Sequence, residues 1–157
     1  MKDKRIDSIF IDIEKQNNEK VKKLFLEVGI DAPNRDGRTL FIQASFYNNL
    51  ELIHFALENG ANSNHQDNRG YTALHFAVQE QHISVIELLL QNKIQIDLQD
   101  QNGNSALWRA AMDEVAVPII QKLLENGANP HLKNKHDVSP FDLMDQENEE
   151  LMKWLRN

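Results

Sequence analysis

The sequence predicts an all-α solenoid in which short helix-turn-helix units stack side by side. The first observation is a repeated turn signal, because Gly37, Gly70 and Gly103 follow one another at intervals of 33 residues. The second is that each of these glycines precedes a hydroxyl residue, a short apolar segment and then a second apolar segment. A fixed period of this length, with one turn and two helices per repeat, is typical of stacked-repeat proteins.

The period divides the chain, which we predict to be a single domain over residues 1–157, into about five units joined by β-hairpin-like turns. The predicted bounds are 3–33, 34–66, 67–99, 100–133 and 134–157. The first unit has helical periodicity but lacks the turn signal, and the last stops after a second short helix. Because one side of a terminal unit faces water, we expect these two units to act as caps.

Signals for the ends of helices recur in the units. A hydroxyl residue before each inner helix can accept a hydrogen bond from a free backbone N–H; these residues are Thr39, Thr72, Ser105 and Ser139. Pro118 starts an outer helix, where its missing N–H costs nothing. Gly60 and Gly127 are expected to end outer helices as C-caps. Lys93 occupies the equivalent position, and we expect it to strain its turn or to shift the cap to Asn92.

Apolar residues at helical spacing predict the buried faces. Leu74 and Ala77 lie on one face of an inner helix, and the expected buried residues of the following outer helix are Ile83, Ile86, Leu89 and Leu90. The fourth unit has one additional residue between its helices, within residues 112–117. We therefore expect a lengthened loop there.

Several residue types recur together at this spacing. Residues 72–75 read Thr-Ala-Leu-His and are followed by Ala77, leucines occupy 88–90, and Gly-Ala-Asn stands at 60–62 and 127–129. In this combination almost the whole chain resembles the ankyrin repeat, although Ala73 replaces the proline of the T-P-L-H-x-A signature. The resemblance implies that His75 hydrogen-bonds the turn. It also implies that the concave side binds another protein.

No pattern predicts catalysis, a cofactor or a metal. The chain has no cysteine, which excludes disulfides and thiol chemistry, and it lacks phosphate-binding, dinucleotide-binding and metalloprotease motifs. His131 and His136 have no third ligand at a fixed spacing, so we interpret them as solvated turn residues. We interpret the acidic run near the C-terminus as a solvated face; its members are Asp142, Asp145, Glu147, Glu149 and Glu150. We expect no enzyme activity.

The resemblance implies a partner-binding surface made of the turns and of the exposed faces of the inner helices. The turns contribute Arg35, Arg38, Asn68, Arg69, Tyr71, Gln101, Asn102 and Asn104. The inner helices contribute Phe46, Tyr47, Gln79, Glu80, Trp108, Met112 and Asp113.

Aromatic and arginine side chains are the types most enriched in binding hot spots. We expect Tyr47 and Tyr71 to be exposed for this reason. Phe46 and Trp108 have two alternatives, either on the binding face or packed in the core between units.

Composition limits the partner. The net charge is −7, and residues 79–157 hold 7 Lys/Arg against 13 Asp/Glu. Such a chain is repelled by nucleic acid and by anionic membranes and attracts basic proteins, so we expect a basic protein partner, no nucleic acid and no membrane.

No apolar stretch reaches the length of a membrane span. The lack of cysteine fits a reducing compartment, and we expect a cytoplasmic monomer.

These expectations favour a non-catalytic module that binds and inhibits or sequesters a partner protein through its concave face. A small free-standing array of this kind resembles an inhibitor, and one such class is an immunity protein that neutralises a cognate toxin. The alternative is a eukaryotic-type ankyrin adaptor or regulator that masks a signalling or transcription protein.

Overall fold

The computed structural model describes residues 4–92, 94–113, 115–144 and 148–155. These residues form ten helices and no strand, which confirms the predicted all-α class. The helices are α1 (Lys4–Glu14), α2 (Asn18–Val28), α3 (Leu40–Phe46), α4 (Leu50–Glu58), α5 (Ala73–Gln79), α6 (Ile83–Gln91), α7 (Ala106–Met112), α8 (Val117–Glu125), α9 (Pro140–Leu143) and α10 (Glu149–Leu155).

The helices stack in chain order as an inner and an outer layer. In the inner layer α3 contacts α5, α5 contacts α7 and α7 contacts α9. In the outer layer α2 contacts α4, and α10 contacts α8. Each helix pair therefore buries its apolar face against the neighbouring pairs, as in a solenoid.

The inner helices begin at the hydroxyl residues that the sequence predicts. The side-chain oxygens of Thr39, Thr72 and Ser105 each accept a hydrogen bond from the backbone N–H three residues later. Ser139 does the same and forms a capping box with Asp142. Because these bonds satisfy otherwise free N–H groups, they fix the point at which each short helix starts.

The core lies between the two layers. In α5 every residue from Ala73 to Val78 is buried, and in α6 the buried residues are Val85, Ile86 and Leu89. The prediction that Ile83 faces the core is wrong, because its side chain is 46% exposed. A helix turns by about 100° per residue, so Ile83 lies more than a quarter turn from the centre of the buried stripe.

The outer helices end as predicted to within one residue. Asn59 and Asn126 are the C-caps, and the glycines that follow them, Gly60 and Gly127, have positive φ. Asn92 is the C-cap of α6, whereas Lys93 lies outside the described residues. α7 ends at Met112 and α8 begins at Val117, whereas α5 ends at Gln79 and α6 begins at Ile83. The connection in the fourth unit is therefore one residue longer, as predicted.

Candidate functional site

Four equivalent turns, which we call tips, precede the inner helices. They span residues 34–38, 67–71, 100–104 and 134–138. In each tip the first residue donates its N–H to the carbonyl of the fifth. Its side-chain oxygen also accepts the N–H groups of the third and fifth residues.

The side chains that organise the tips were missed by the sequence analysis. They are Asn34, Asp67, Asp100 and Asn134. A signal was available, because Asn or Asp recurs at intervals of 33 or 34 residues at the start of each turn, and these two residue types favour such local hydrogen bonds.

Backbone hydrogen bonds also join each tip to the next. The N–H of Asn68 donates to the carbonyl of Asp36 at 2.9 Å, and the N–H of Gln101 donates to the carbonyl of Arg69 at 2.9 Å. The same contact joins the third tip to the fourth. The tips therefore form one connected row.

Most of the predicted contact residues lie on the surface of this row or at the ends of the inner helices. The exposed ones are Arg35, Asn68, Arg69, Gln79, Glu80, Gln101, Asn102, Met112 and Asp113. Arg38 is half-buried.

Tyr71 is not exposed as predicted, since only 9% of it is accessible. Its ring stacks on the imidazole of His75, with centroids 5.4 Å apart, and lies 5.3 Å from the ring of Phe76. The guanidinium carbons of Arg69 and Arg109 lie 4.6 Å and 5.0 Å from its centroid. Tyr71 was predicted to be exposed because tyrosine is enriched in binding hot spots, but these neighbours cover its ring.

Asn104 is also buried, at 5% accessibility, and does not face a partner as predicted. Its carbonyl is 3.0 Å from Nε2 of His75, and its Oδ1 accepts a hydrogen bond from Nδ2 of Asn134 at 2.8 Å. The side chain therefore joins two neighbouring units.

The remaining aromatic candidates are half-buried. Trp108 donates its indole N–H to the carbonyl of Val138 at 3.2 Å, so it bridges two units.

The rings of Phe46 and Tyr47 meet edge to face, with their centroids 4.9 Å apart, and both pack against the core. Burial raises the pKa of Tyr47, and the charge of nearby Glu14 raises it further. The prediction of an exposed Tyr47 is therefore correct only for part of its ring.

Two arginines form ion pairs with the carboxylates of the tips. Nε of Arg38 lies 3.5 Å from Oδ2 of Asp67, and Nη2 of Arg109 donates to Oδ2 of Asp100 at 2.8 Å. Both carboxylate side chains are only 1% exposed. Burial alone would raise the pKa of Asp100, but hydrogen bonds from Arg109 and from backbone N–H groups outweigh it and lower that pKa.

His75 has the structural role that the resemblance implies. Thr72 donates its backbone N–H to Nδ1 of His75 at 3.2 Å, and Nε2 donates to the carbonyl of Asn104 at 3.0 Å. Burial lowers the pKa of His75, which keeps the ring neutral. The sequence analysis gave no role to His65 or His82. His65 contacts the carbonyl of Gly37 within its own unit, and His82 contacts the carbonyl of Phe46 in the preceding unit.

Metal-ligating side chains do not cluster in groups of three or more anywhere in the described part of the chain. Within the same residues, no helix has both the length and the apolar character needed to span a bilayer.

Comparison with known families and proteins agrees with this geometry. A family model described as ankyrin repeats in three copies matches residues 9–100, and a single ankyrin-repeat model matches residues 102–135. An ankyrin repeat protein of Acanthamoeba polyphaga mimivirus is 31% identical over 68% of this chain and 25% of its own length.

Two further relatives match different shares of the chain. An ankyrin repeat protein of Fowlpox virus is 26% identical over 87% of this chain and 42% of its own length. Human transient receptor potential cation channel subfamily A member 1 is 34% identical over 60% of this chain and 8% of its own length. The chain thus spans less than half the length of each of these relatives.

Proposed function

The chain belongs to the ankyrin repeat family, whose repeats generally mediate protein–protein interaction, and we propose that it binds a partner protein through the row of tips without catalysing a reaction. In this proposal the five predicted units form one domain that acts as a cytoplasmic monomer. The observation that supports the proposal best is the connected row itself, because its hydrogen bonds hold side chains such as Arg69 and Gln101 at the surface.

The proposed contact surface differs from the sequence-based set. It keeps the exposed residues of the tips and the ends of the inner helices. It leaves out Tyr71 and Asn104, because both are buried. In this proposal they hold neighbouring parts of the tips in place and do not contact the partner. Binding to a surface that is already ordered costs less conformational entropy, which favours affinity.

We further propose that binding inhibits the partner, as an immunity protein inhibits its toxin. This finer role rests on the analogy with ankyrin arrays that act as inhibitors. A neighbouring gene for a toxin, whose toxicity is suppressed by co-expression of this chain, would support it. Suppression by a variant that no longer binds the toxin would contradict it. The alternative is an adaptor or regulator of a signalling or transcription protein.

The experiment that tests the binding proposal begins with affinity capture from a lysate of the source organism and identification by mass spectrometry. The captured protein is then purified and titrated calorimetrically against Arg69→Ala. We expect this variant to weaken binding by about 1–2 kcal/mol, because the arginine side chain is exposed and has no carboxylate partner among the described residues.

The matched control is Lys23→Ala, which also removes one exposed positive charge. Lys23 lies on the outer helix α2 and forms no ion pair within the described part of the chain. We expect the control to bind like the unmodified chain. If Lys23→Ala loses affinity and Arg69→Ala does not, the contact surface lies on the outer side and the proposal fails.

A further inference from the structure

We propose that a cleft between the first and second tips binds carboxylates of an acidic segment in the partner protein. The cleft has a volume of about 310 Å³ and is lined by Asp36, Arg38, Asn68 and Arg69. The inference rests on the proposed protein-binding function and specifies the chemistry of the partner.

Both arginines of the cleft have unused hydrogen-bond donors. The guanidinium of Arg69 donates to no group among the described residues. Arg38 approaches Asp67 only through Nε, and its two terminal nitrogens have no acceptor in the same part of the chain. A planar guanidinium matches a carboxylate geometrically and can bind it through two parallel hydrogen bonds.

The two guanidinium groups are held in place before any ligand arrives. That of Arg38 lies 4.6 Å from the ring centroid of Phe76, and that of Arg69 lies 4.6 Å from the centroid of Tyr71. The hydrogen bond between Asn68 and Asp36 fixes the two tips relative to each other. Since both side chains already rest on rings, less rotamer freedom is lost on binding.

The local charge selects an anion even though the whole chain is acidic. The carboxylate of Asp67 is almost fully covered, so Asp36 is the exposed carboxylate of the cleft. Arg35 on the first tip and Lys135 on the fourth are exposed and have no ion-pair partner among the described residues. Asp137 on the fourth tip is also exposed and offsets Lys135, so the excess of exposed positive charge lies on the first two tips, which form the cleft.

The net charge of −7 distinguishes between anionic partners. A nucleic acid carries a dense row of phosphates, which the acidic remainder of the chain repels at long range. A short segment with a few Asp or Glu side chains gains the local contacts with less repulsion. The expectation of a basic partner was based on net charge alone, and this proposal replaces it for the residues that enter the cleft.

The test measures fluorescence anisotropy of a labelled peptide of alternating Glu and Gly on addition of the full chain. We expect saturable binding that weakens as NaCl is raised, and no binding of the matching Gln–Gly peptide. Arg69→Gln should weaken binding of the Glu peptide by about tenfold, and Lys23→Gln by less than about twofold.

Arg38 requires a separate measurement, because Arg38→Gln removes the ion pair to buried Asp67 and can destabilise the tip. In the unmodified chain, the NMR resonances of the Nε–H groups of Arg38 and Arg69 should both shift as the Glu peptide is added. Equal binding of the Glu and Gln peptides would overturn the proposal. Tighter binding of a single-stranded oligonucleotide through Arg69 would also overturn it.

Competition between the Glu peptide and the captured partner separates this proposal from the protein-binding proposal. If the partner binds through the tips and the Glu peptide neither binds nor competes, the acidic chemistry is refuted and protein binding stands. If the Glu peptide binds at Arg69 but the partner is insensitive to both Arg69→Ala and the peptide, the cleft stands and the proposed binding face is refuted.

Discussion

Replacing Gly70 with alanine tests whether the row of tips is a connected structure. Gly70 has φ +81°, and a Cβ built on it would lie 2.9 Å from both the Cα of Asp100 and the backbone N of Gln101. These are backbone atoms of the next tip, so no side-chain rotation can relieve the contact. The third tip would have to move away, and the hydrogen bond from Gln101 to the carbonyl of Arg69 would be lost.

Gly60 provides a matched control with φ +78°, and a Cβ added there would meet no atom within 4 Å. Gly60→Ala should therefore cost only the left-handed backbone strain of about 1–2 kcal/mol. Gly70→Ala should cost the same backbone strain and two further contributions. These are about 1 kcal/mol for the lost hydrogen bond and the loss of packing where the third tip is displaced. We expect a total of about 3–4 kcal/mol.

Urea denaturation followed by circular dichroism measures the difference between the two variants. Binding of the Glu peptide under native conditions provides a second measurement, and Gly70→Ala should weaken it while Gly60→Ala should not. Equal destabilisation by the two substitutions would refute the reasoning, because it would show that contact between tips contributes nothing beyond the backbone conformation.

Two further predictions concern the core. Leu89→Ala removes a fully buried side chain and should lower the free energy of unfolding by about 2–5 kcal/mol in urea denaturation; a small effect would mean that α6 is not packed as described. Burial lowers the pKa of His75 in the folded chain, whereas in the unfolded chain its pKa is about 6.5. As the pH falls below about 6.5, the unfolded state therefore binds a proton that the folded state does not, and the free energy of unfolding decreases. Tm should therefore fall between about pH 7.5 and about pH 5.5 more steeply in the unmodified chain than in His75→Gln; equal slopes would contradict this.

The parts of the fold that the sequence predicted are those set by local chemistry. Thr72 and Ser105 start helices because a hydroxyl meets free N–H groups within its own turn, and Gly60 follows a helix end because only a few residues tolerate positive φ. Each of these features depends on neighbours a few positions away. Because these local signals recur at a fixed period, the stacking of equivalent units could be predicted as well.

The features that could not be predicted depend on contacts between units. Ile83 has the spacing of a core residue, but the rotation of α6 against its neighbours leaves it exposed. Arg109 was not recognised as part of the site, because only stacking brings its guanidinium beside Tyr71 and its charge beside Asp100. A periodic pattern shows which residues are equivalent but does not show what covers each of them.

The burial of Tyr71 changes how the proposed surface works. Sequence statistics favoured this tyrosine as a contact, yet its ring lies beneath Arg69 and beside Arg109 and rests on His75. A guanidinium on an aromatic ring is held in position while its N–H donors stay free for a ligand. The tyrosine therefore contributes by fixing an arginine at the surface, and the arginine makes the proposed contact. On this argument, affinity for acidic segments depends on core packing beneath the tips as much as on the exposed charges, because loss of the supporting ring would release the arginine side chain.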